Sequence, residues 1–211
     1  MRKIFFLAAI EEEFNFLKPR LIDFDKIQWE FIPLGIGIID PIINLGKNYK
    51  ILNGGKIIFL GTAGIIGKRF VPGETYQGSY FRWVSTGLTL KKGFLPGLIY
   101  PDIGARKLTR GLSEAIIISP PEITADDAIA EILEKENGFC LENLEAYAVA
   151  KWFKAQDKSI TAILSVSNQV GKESHSQYLK YRELAWEKLA KAIQKILFSG
   201  EIKEKGKVKD G

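Results

Sequence analysis

Two carboxylates, Glu142 and Glu145, stand within FCLENLEAYAVAK (Phe139–Lys151), where a short apolar run gives way to helical spacing. Phe139, Cys140 and Leu141 read as a strand. Leu144, Tyr147, Ala148 and Trp152 recur as the packed face of a helix would. Both glutamates therefore fall near the carboxyl end of a strand and the start of a helix, the edge where open α/β sheets bind ligands. An acidic first turn is also favoured by the helix dipole alone, so locally both readings stand. Glu11–Glu13 repeat the arrangement after the apolar run KIFFLAA (Lys3–Ala9), and not all three can face one pocket. Two further strand ends carry small or polar groups: Gly61-Thr62-Ala63-Gly64 after KIIFL (Lys56–Leu60), and Ser167-Asn168 after SITAILSV (Ser159–Val166). The single histidine, His175, lies past the last strand, so no Ser–His–Asp set can be assembled. One His and one Cys far apart build no zinc site. Gly35-Ile36-Gly37 lacks both the third glycine of a dinucleotide loop and the Lys-Ser/Thr of a phosphate loop. Carboxylates with a carboxamide suit hydrolysis of a bond whose transition state is a sugar cation, one carboxylate activating water and another gripping a sugar hydroxyl.

These groups need elements to hold them. The reading is a strand over Lys3–Ala9, a strand-to-helix turn at Glu11–Glu13, a helix carrying Phe14, Phe16 and Leu17 that ends just before Pro19, and a strand over Gln28–Leu34. A helix follows through Leu52, then the strand Lys56–Leu60, which enters a glycine-dense turn over Gly61–Gly67 whose N–H groups can hold an anion or a hydroxyl. Thr75–Thr86 reads as a strand. Gly87–Arg110 reads as a long loop with little regular structure. Ala115–Ile118 is a buried strand, and Thr124 or its neighbours cap a helix over Ala125–Lys135. Ser159–Val166 is the last strand, and a helix over Ser174–Phe198 closes the unit. Repetition of buried strand, polar turn and helix predicts α/β architecture, a three-layer α/β/α sandwich around a mixed central sheet. A single domain over residues 1–198 is expected, with a basic, flexible tail over 199–211. The aromatic residues Tyr76, Tyr80, Phe81 and Trp83 fit either core or interface.

The chain has 211 residues and a formal net charge of +5, much of the excess lying in Lys203, Lys205, Lys207 and Lys209. That tail has no aromatics after Phe198, so a solvated terminus is expected and no nucleic-acid partner. The single cysteine, Cys140, excludes an intrachain disulfide and fits a cytoplasmic protein. MRKIFFLAAI reads as a buried first strand because Glu11–Glu13 follow it without a cleavage site. No run approaches the length of a transmembrane helix, so no membrane partner is expected.

Taken together, the motifs resemble the nucleoside phosphorylase/nucleosidase superfamily of N-ribosidic bond-cleaving enzymes, from about Lys3 to Leu197. AAIEEEF is similar to the amino-terminal motif of methylthioadenosine/S-adenosylhomocysteine nucleosidases, LGIGIIDPIINLGK to their second-strand loop, FLGTAGIIG to their central glycine loop, and LENLEAYAVA to their ribose-binding strand–helix motif. Where those nucleosidases have Ser-Asp this chain has Ser167-Asn168, in VSNQVGKESHSQY, which resembles futalosine hydrolase, the branch that releases hypoxanthine in an alternative route to menaquinone. Asn143 stands where many nucleosidases have a second glutamate.

The resemblance implies a nucleoside phosphorylase-like fold, a small-molecule nucleoside as partner, no cofactor and no metal, and a homodimer or larger homo-oligomer. It implies that Glu13 positions or activates the attacking water, and that Glu145 binds the ribose hydroxyls beside the Leu144 backbone. Thr62, Ala63 and Gly64 would line the ribose and water pocket, and Ser167 with Asn168 would meet the base. A carboxamide can accept from a protonated purine N7 while donating to a 6-oxo group, so Asn168 favours hypoxanthine- or guanine-like bases over adenine. Superfamily phosphorylases place an arginine just before the glycine loop. This chain has Phe59-Leu60 there, and without a cation a phosphate nucleophile is poorly held. Arg106 and Arg110 are candidates for meeting a 5′ substituent, and His175 is a candidate for a place near the pocket mouth. A purine nucleoside phosphorylase, an adenine-type nucleosidase and a nucleoside-binding homologue without turnover are the competing readings.

Overall fold

Alternation of buried side chains along three strands assigns the two faces of the sheet. In β1 (Arg2–Ala8), Phe5 and Leu7 belong to one apolar cluster, and Ile4, Phe6 and Ala8 to another. In β3 (Lys56–Ile66), Phe59 joins the first cluster, and Ile58 and Leu60 the second. In β8 (Thr161–Gln169), Leu164 and Val166 join the first and Ile163 the second. Successive strand side chains point to opposite faces, so a continuous apolar run needs cover on both. The first cluster is closed by α1 (Ile39–Lys47) and α4 (Ala146–Lys154), through Leu45, Tyr147, Val149 and Phe153. The second is closed by α5 (Ser174–Phe198), through Leu189, Ile193 and Ile196. The expected layering of helix, mixed sheet and helix is present. In a computed structural model the chain is described over residues 2–21, 27–52, 54–94 and 100–198; the basic tail 199–211 and residues 95–99 of the long loop lie outside the described residues.

The remaining strands are β2 (Ile27–Pro33), β4 (Thr75–Trp83), β5 (Ile103–Gly104), β6 (Ser113–Ser119) and β7 (Cys140–Glu142). The remaining helices are α2 (Thr86–Thr89) and α3 (Asp127–Asn137). β2 and β1 pair in parallel, and β1 pairs in parallel with the first half of β3. The second half of β3 pairs antiparallel with β7, while β8 runs parallel along its other edge. Because β7 pairs β6, β6 pairs β4 and β4 pairs β8, the strands β3, β7, β6, β4 and β8 close into a ring.

That closure corrects one expectation. Gly61–Ile66 is not a turn: β3 continues through it, with a register irregularity between Ala63 and Gly64 opposite β8. Small residues there admit close neighbours. A side chain at Gly64 would lie 2.6 Å from Val170 Cγ2 and 2.9 Å from Asn168 Nδ2. The other correction concerns residues 11–21, which form two short 3-10 turns, Glu11–Phe14 and Lys18–Leu21, in place of the expected turn and helix. Pro19 sits near the start of the second, where its missing N–H is not needed. In the segment expected to be a loop, α2 and β5 form, the latter pairing with β4. Asp126 caps α3, its Oδ1 accepting the Ile129 N–H at 2.9 Å. Of the four undecided aromatics, Tyr76 and Phe81 are buried, Trp83 stacks on Tyr100, and Tyr80 is exposed.

Candidate active site

Glu13 is the only one of the three amino-terminal glutamates that turns inward. Glu11 and Glu12 are exposed, whereas Glu13 is 6% exposed. The 3-10 turn folds its carboxyl back on the chain, so Oε2 accepts from the N–H groups of Ala9 (3.0 Å) and Ile10 (3.4 Å). Oε1 accepts from Thr62 N–H at 3.1 Å, tying the end of β1 to the middle of β3. Burial pushes the Glu13 carboxyl up to about 7, and the nearby Glu145 charge adds to the rise against the three backbone N–H groups. A group poised there exchanges protons near neutral pH.

Glu145 begins α4 without capping it. The capping is done by Asn143, whose Oδ1 accepts from Glu145 N–H (3.2 Å) and Ala146 N–H (2.9 Å) and whose Nδ2 donates to Thr62 O (3.1 Å). With the helix end satisfied by Asn143, the Glu145 carboxyl is free to accept Gly37 N–H at 2.8 Å. Gly37 has φ +84°, a left-handed conformation that glycine adopts without steric cost. The GxG of Gly35–Gly37 therefore presents its N–H to a carboxylate of the same chain. Burial pushes Glu145 up to about 7 as well, opposed first by the Gly37 hydrogen bond.

Asn168 lies in the final stretch of β8, beside Gly64 of β3. Ser167 Oγ donates to its Oδ1 at 2.9 Å, and its Nδ2 donates to Gln169 O at 3.1 Å. The carboxamide is thereby oriented, with one lone pair and one N–H unused. Gln169 Nε2 donates to Ile65 O (2.8 Å) and holds this end of β8 against β3.

All eight residues singled out in the sequence, Glu13, Thr62, Ala63, Gly64, Leu144, Glu145, Ser167 and Asn168, line one cavity of about 260 Å³. Its other walls include Glu142 and His175, which the sequence reading raised without assigning a role, and Tyr178, which it passed over. Glu142 had been read as one of two junction acids, yet it is buried and faces this space. His175 and Tyr178 enter from the first turns of α5, and their spacing puts them on one helix face, a signal the sequence did carry. The Tyr178 hydroxyl is pushed up by burial first and by the Glu13 charge next. Arg106 and Arg110 are exposed and do not line the cavity, which corrects their candidacy for a 5′ group. Among the described residues no Lys or Arg borders the cavity. Nor is any group of three His, Cys, Asp or Glu side chains among them arranged to hold a metal ion.

No protein-family model matches the sequence, and a search of curated proteins finds no match. Solved structures do match. A futalosine hydrolase mutant of Helicobacter pylori strain 26695 superposes with a TM-score of 0.79 at 17% identity, covering 94% of this chain and 100% of that one. The 5′-methylthioadenosine/S-adenosylhomocysteine nucleosidase of S. pneumoniae, solved with the transition-state inhibitor MT-ImmA, gives 0.77 at 15% identity, covering 92% and 98%. The corresponding nucleosidase of Neisseria meningitidis, in complex with methylthio-immucillin-A, gives 0.76 at 16% identity, covering 94% and 100%. The fold of this chain is that of these nucleosidases, as the sequence motifs led one to expect.

Proposed function

We propose that the protein is a purine nucleosidase, a hydrolase that cleaves the N-ribosidic bond with water, and that its substrate is a 6-oxopurine nucleoside such as futalosine, releasing hypoxanthine. The observation that carries this reading is the presence of Glu13 and Glu145 in one cavity, both carboxyls raised to about 7, with Asn168 lining the same space. As the bond to the base breaks, positive charge develops on the sugar. Glu13, held by three backbone N–H groups, takes a proton from the attacking water as a general base. Glu145 grips the ribose hydroxyls, with the Leu144 backbone beside it. Departure of the base requires a proton or hydrogen bond at N7. With N7 protonated from solvent before the bond breaks, the unused lone pair of Asn168 accepts from N7–H while its unused N–H donates to the 6-oxo group, and Ser167 keeps the amide in that orientation. The lack of Lys or Arg along the cavity wall among the described residues favours water over phosphate as nucleophile.

Association into a homodimer or larger oligomer belongs to the same reading. Ile36, Ile39, Ile42 and Ile43, in and before α1, are all exposed, and Ile36 also borders the cavity. An exposed cluster of this kind is the sort of surface a partner subunit covers.

Chromatography of the released base, with futalosine, inosine and methylthioadenosine as substrates and no phosphate present, tests the reading. Hypoxanthine from futalosine, with methylthioadenosine turned over at least tenfold more slowly, is the expected result. Adenine released from methylthioadenosine as the preferred reaction would overturn the role given to Asn168.

A further inference from the structure

Both carboxyls of the proposed mechanism are tied to one amide, Asn143, and the backbone of that residue is held from a third side. Its N–H donates to Ile118 O of β6 at 3.0 Å, and its carbonyl accepts from Ser119 Oγ at 2.6 Å. The residue is 8% exposed and borders the cavity. With the backbone fixed, only one orientation of the carboxamide satisfies its surroundings. Oδ1 faces the N–H groups of Glu145 and Ala146, and Nδ2 faces the Thr62 carbonyl. Reversing the amide would set oxygen against oxygen and N–H against N–H.

Thr62 is the joint. Its carbonyl accepts from Asn143 Nδ2, while its N–H donates to Glu13 Oε1. Gly61, the residue before it, leaves room for both groups. A Cβ there would lie 3.3 Å from Glu13 Oε1 and 3.5 Å from Asn143 Nδ2, so the acid and the amide lie over the same residue. On the other side, Oδ1 holds the first turn of α4, from which the Glu145 carboxyl reaches Gly37 N–H. One side chain therefore joins β3 to α4 and, through Thr62, joins both to the carboxyl that follows β1.

We infer that Asn143 is a positioning residue that couples Glu13 to Glu145, and that the coupling requires a neutral side chain with a donor on one arm and an acceptor on the other. The inference rests on the nucleosidase reading of the cavity and extends it to a residue given no part in the reaction above. A reacting pair of side chains keeps its geometry through the hydrogen bonds of the groups behind it. An acid of the same size does not meet the requirement. The two α4 N–H groups favour its ionised form, and its outer oxygen then meets the Thr62 carbonyl lone pair against lone pair. It also adds a negative charge beside Glu13, in a cavity whose other titratable groups are Glu142 from β7, Glu145 at the start of α4, and His175 and Tyr178 from α5.

Asn143→Ser and Asn143→Asp separate this role from helix capping, because Ser and Asp cap about as well as Asn. Base release from inosine and futalosine by the whole chain is followed against pH, and melting identifies the variants that fold. The Ser hydroxyl keeps the cap and is too short to span to Thr62. In Asn143→Ser, kcat should fall about ten- to a hundredfold, with KM changed by less than about threefold. In Asn143→Asp the acid limb of kcat/KM should move up by about one pH unit. A role in capping alone predicts neither effect, so a wild-type kcat in a folded Asn143→Ser, or an unmoved limb in a folded Asn143→Asp, would overturn the inference. If one variant does not fold, the other decides. Carbon-13 NMR of the side-chain carboxyls reads Glu13 without turnover, its signal assigned by its absence from Glu13→Gln. The midpoint of that signal should rise in Asn143→Asp by the same step, and an unmoved midpoint would also overturn the inference. A wild type that releases no base, with a midpoint that still rises in Asn143→Asp, would remove the nucleosidase reading and leave Asn143 coupled to Glu13.

Discussion

Glu13→Gln is expected to lower kcat for base release by about 10²–10⁴ while leaving the affinity for free hypoxanthine within a few-fold of wild type. The amide cannot take the proton of water, whatever its position. It also sets an NH2 group against one of the backbone donors, Ala9 and Ile10 on one side or Thr62 on the other, so a Glu13→Ala companion is needed. Both variants should lose turnover alike, and thermal melting should report two folded proteins. Loss of affinity in parallel with turnover would instead mean that Glu13 organises the pocket without serving as base. Glu11→Gln and Glu12→Gln, on exposed side chains, should leave the rate unchanged.

The second large effect is on pH. The proposed mechanism needs Glu13 as a carboxylate, and its carboxyl is raised to about 7 by burial and then by Glu145. The rate should therefore climb through neutrality, with kcat/KM falling about tenfold per pH unit on the acid side. Glu145→Gln removes the lesser of the two causes of the rise, so the acid limb should move to lower pH even as loss of the proposed ribose anchor lowers the maximal rate. The same variant makes a stability prediction whose sign is fixed by linkage. Between the ordinary carboxylate range and about 7, the folded protein holds a proton on Glu145 that the unfolded chain has released. Wild-type stability attributable to this group therefore declines as pH rises through that window, and the full penalty is present above it. Gln keeps an acceptor for the Gly37 N–H and carries no charge to bury. The melting temperature of Glu145→Gln should match wild type at acid pH and exceed it increasingly up to about pH 7, with a constant gap beyond. A gap that narrows as pH rises would contradict the desolvation argument.

Much of this site was legible because chemistry and position coincide in the chain. The apolar runs of β1, β3 and β8 needed cover on both faces, and they received it. α5 spans Ser174–Phe198, the limits its apolar periodicity marked out. The convergence of Glu13, Glu145 and Asn168 on one cavity was expected from the order of motifs. What failed did so where neighbours decide. Gly61–Ile66 has the composition of a turn, yet β3 must run on through it to pair with β7 and β8 and close the ring. Glycine content reports where a side chain would clash, as at Gly64 against Asn168, as readily as where a chain reverses. The turn expected at Glu11–Glu13 and the helix expected after it, ending before Pro19, are replaced by 3-10 turns as Glu13 folds back onto Ala9 and Ile10. Glu142 was placed with Glu145 at the ligand-binding edge, but an acid at the end of an apolar strand also reads as the start of the next helix, and the sequence did not separate the two. Only the pairing of β7 to both β3 and β6 explains its burial. Asn143, noted as a departure from the nucleosidase pattern, turns out to cap α4 and so leaves the Glu145 carboxyl free for Gly37.

The central claim is that water, activated at Glu13, is the nucleophile. Its most direct test follows base release from inosine and futalosine in buffer freed of phosphate, then with phosphate restored, identifying the sugar product by mass. The account predicts the same rate in both buffers and a free sugar in each. Base release only after phosphate is added, with a sugar 1-phosphate as product, would contradict it.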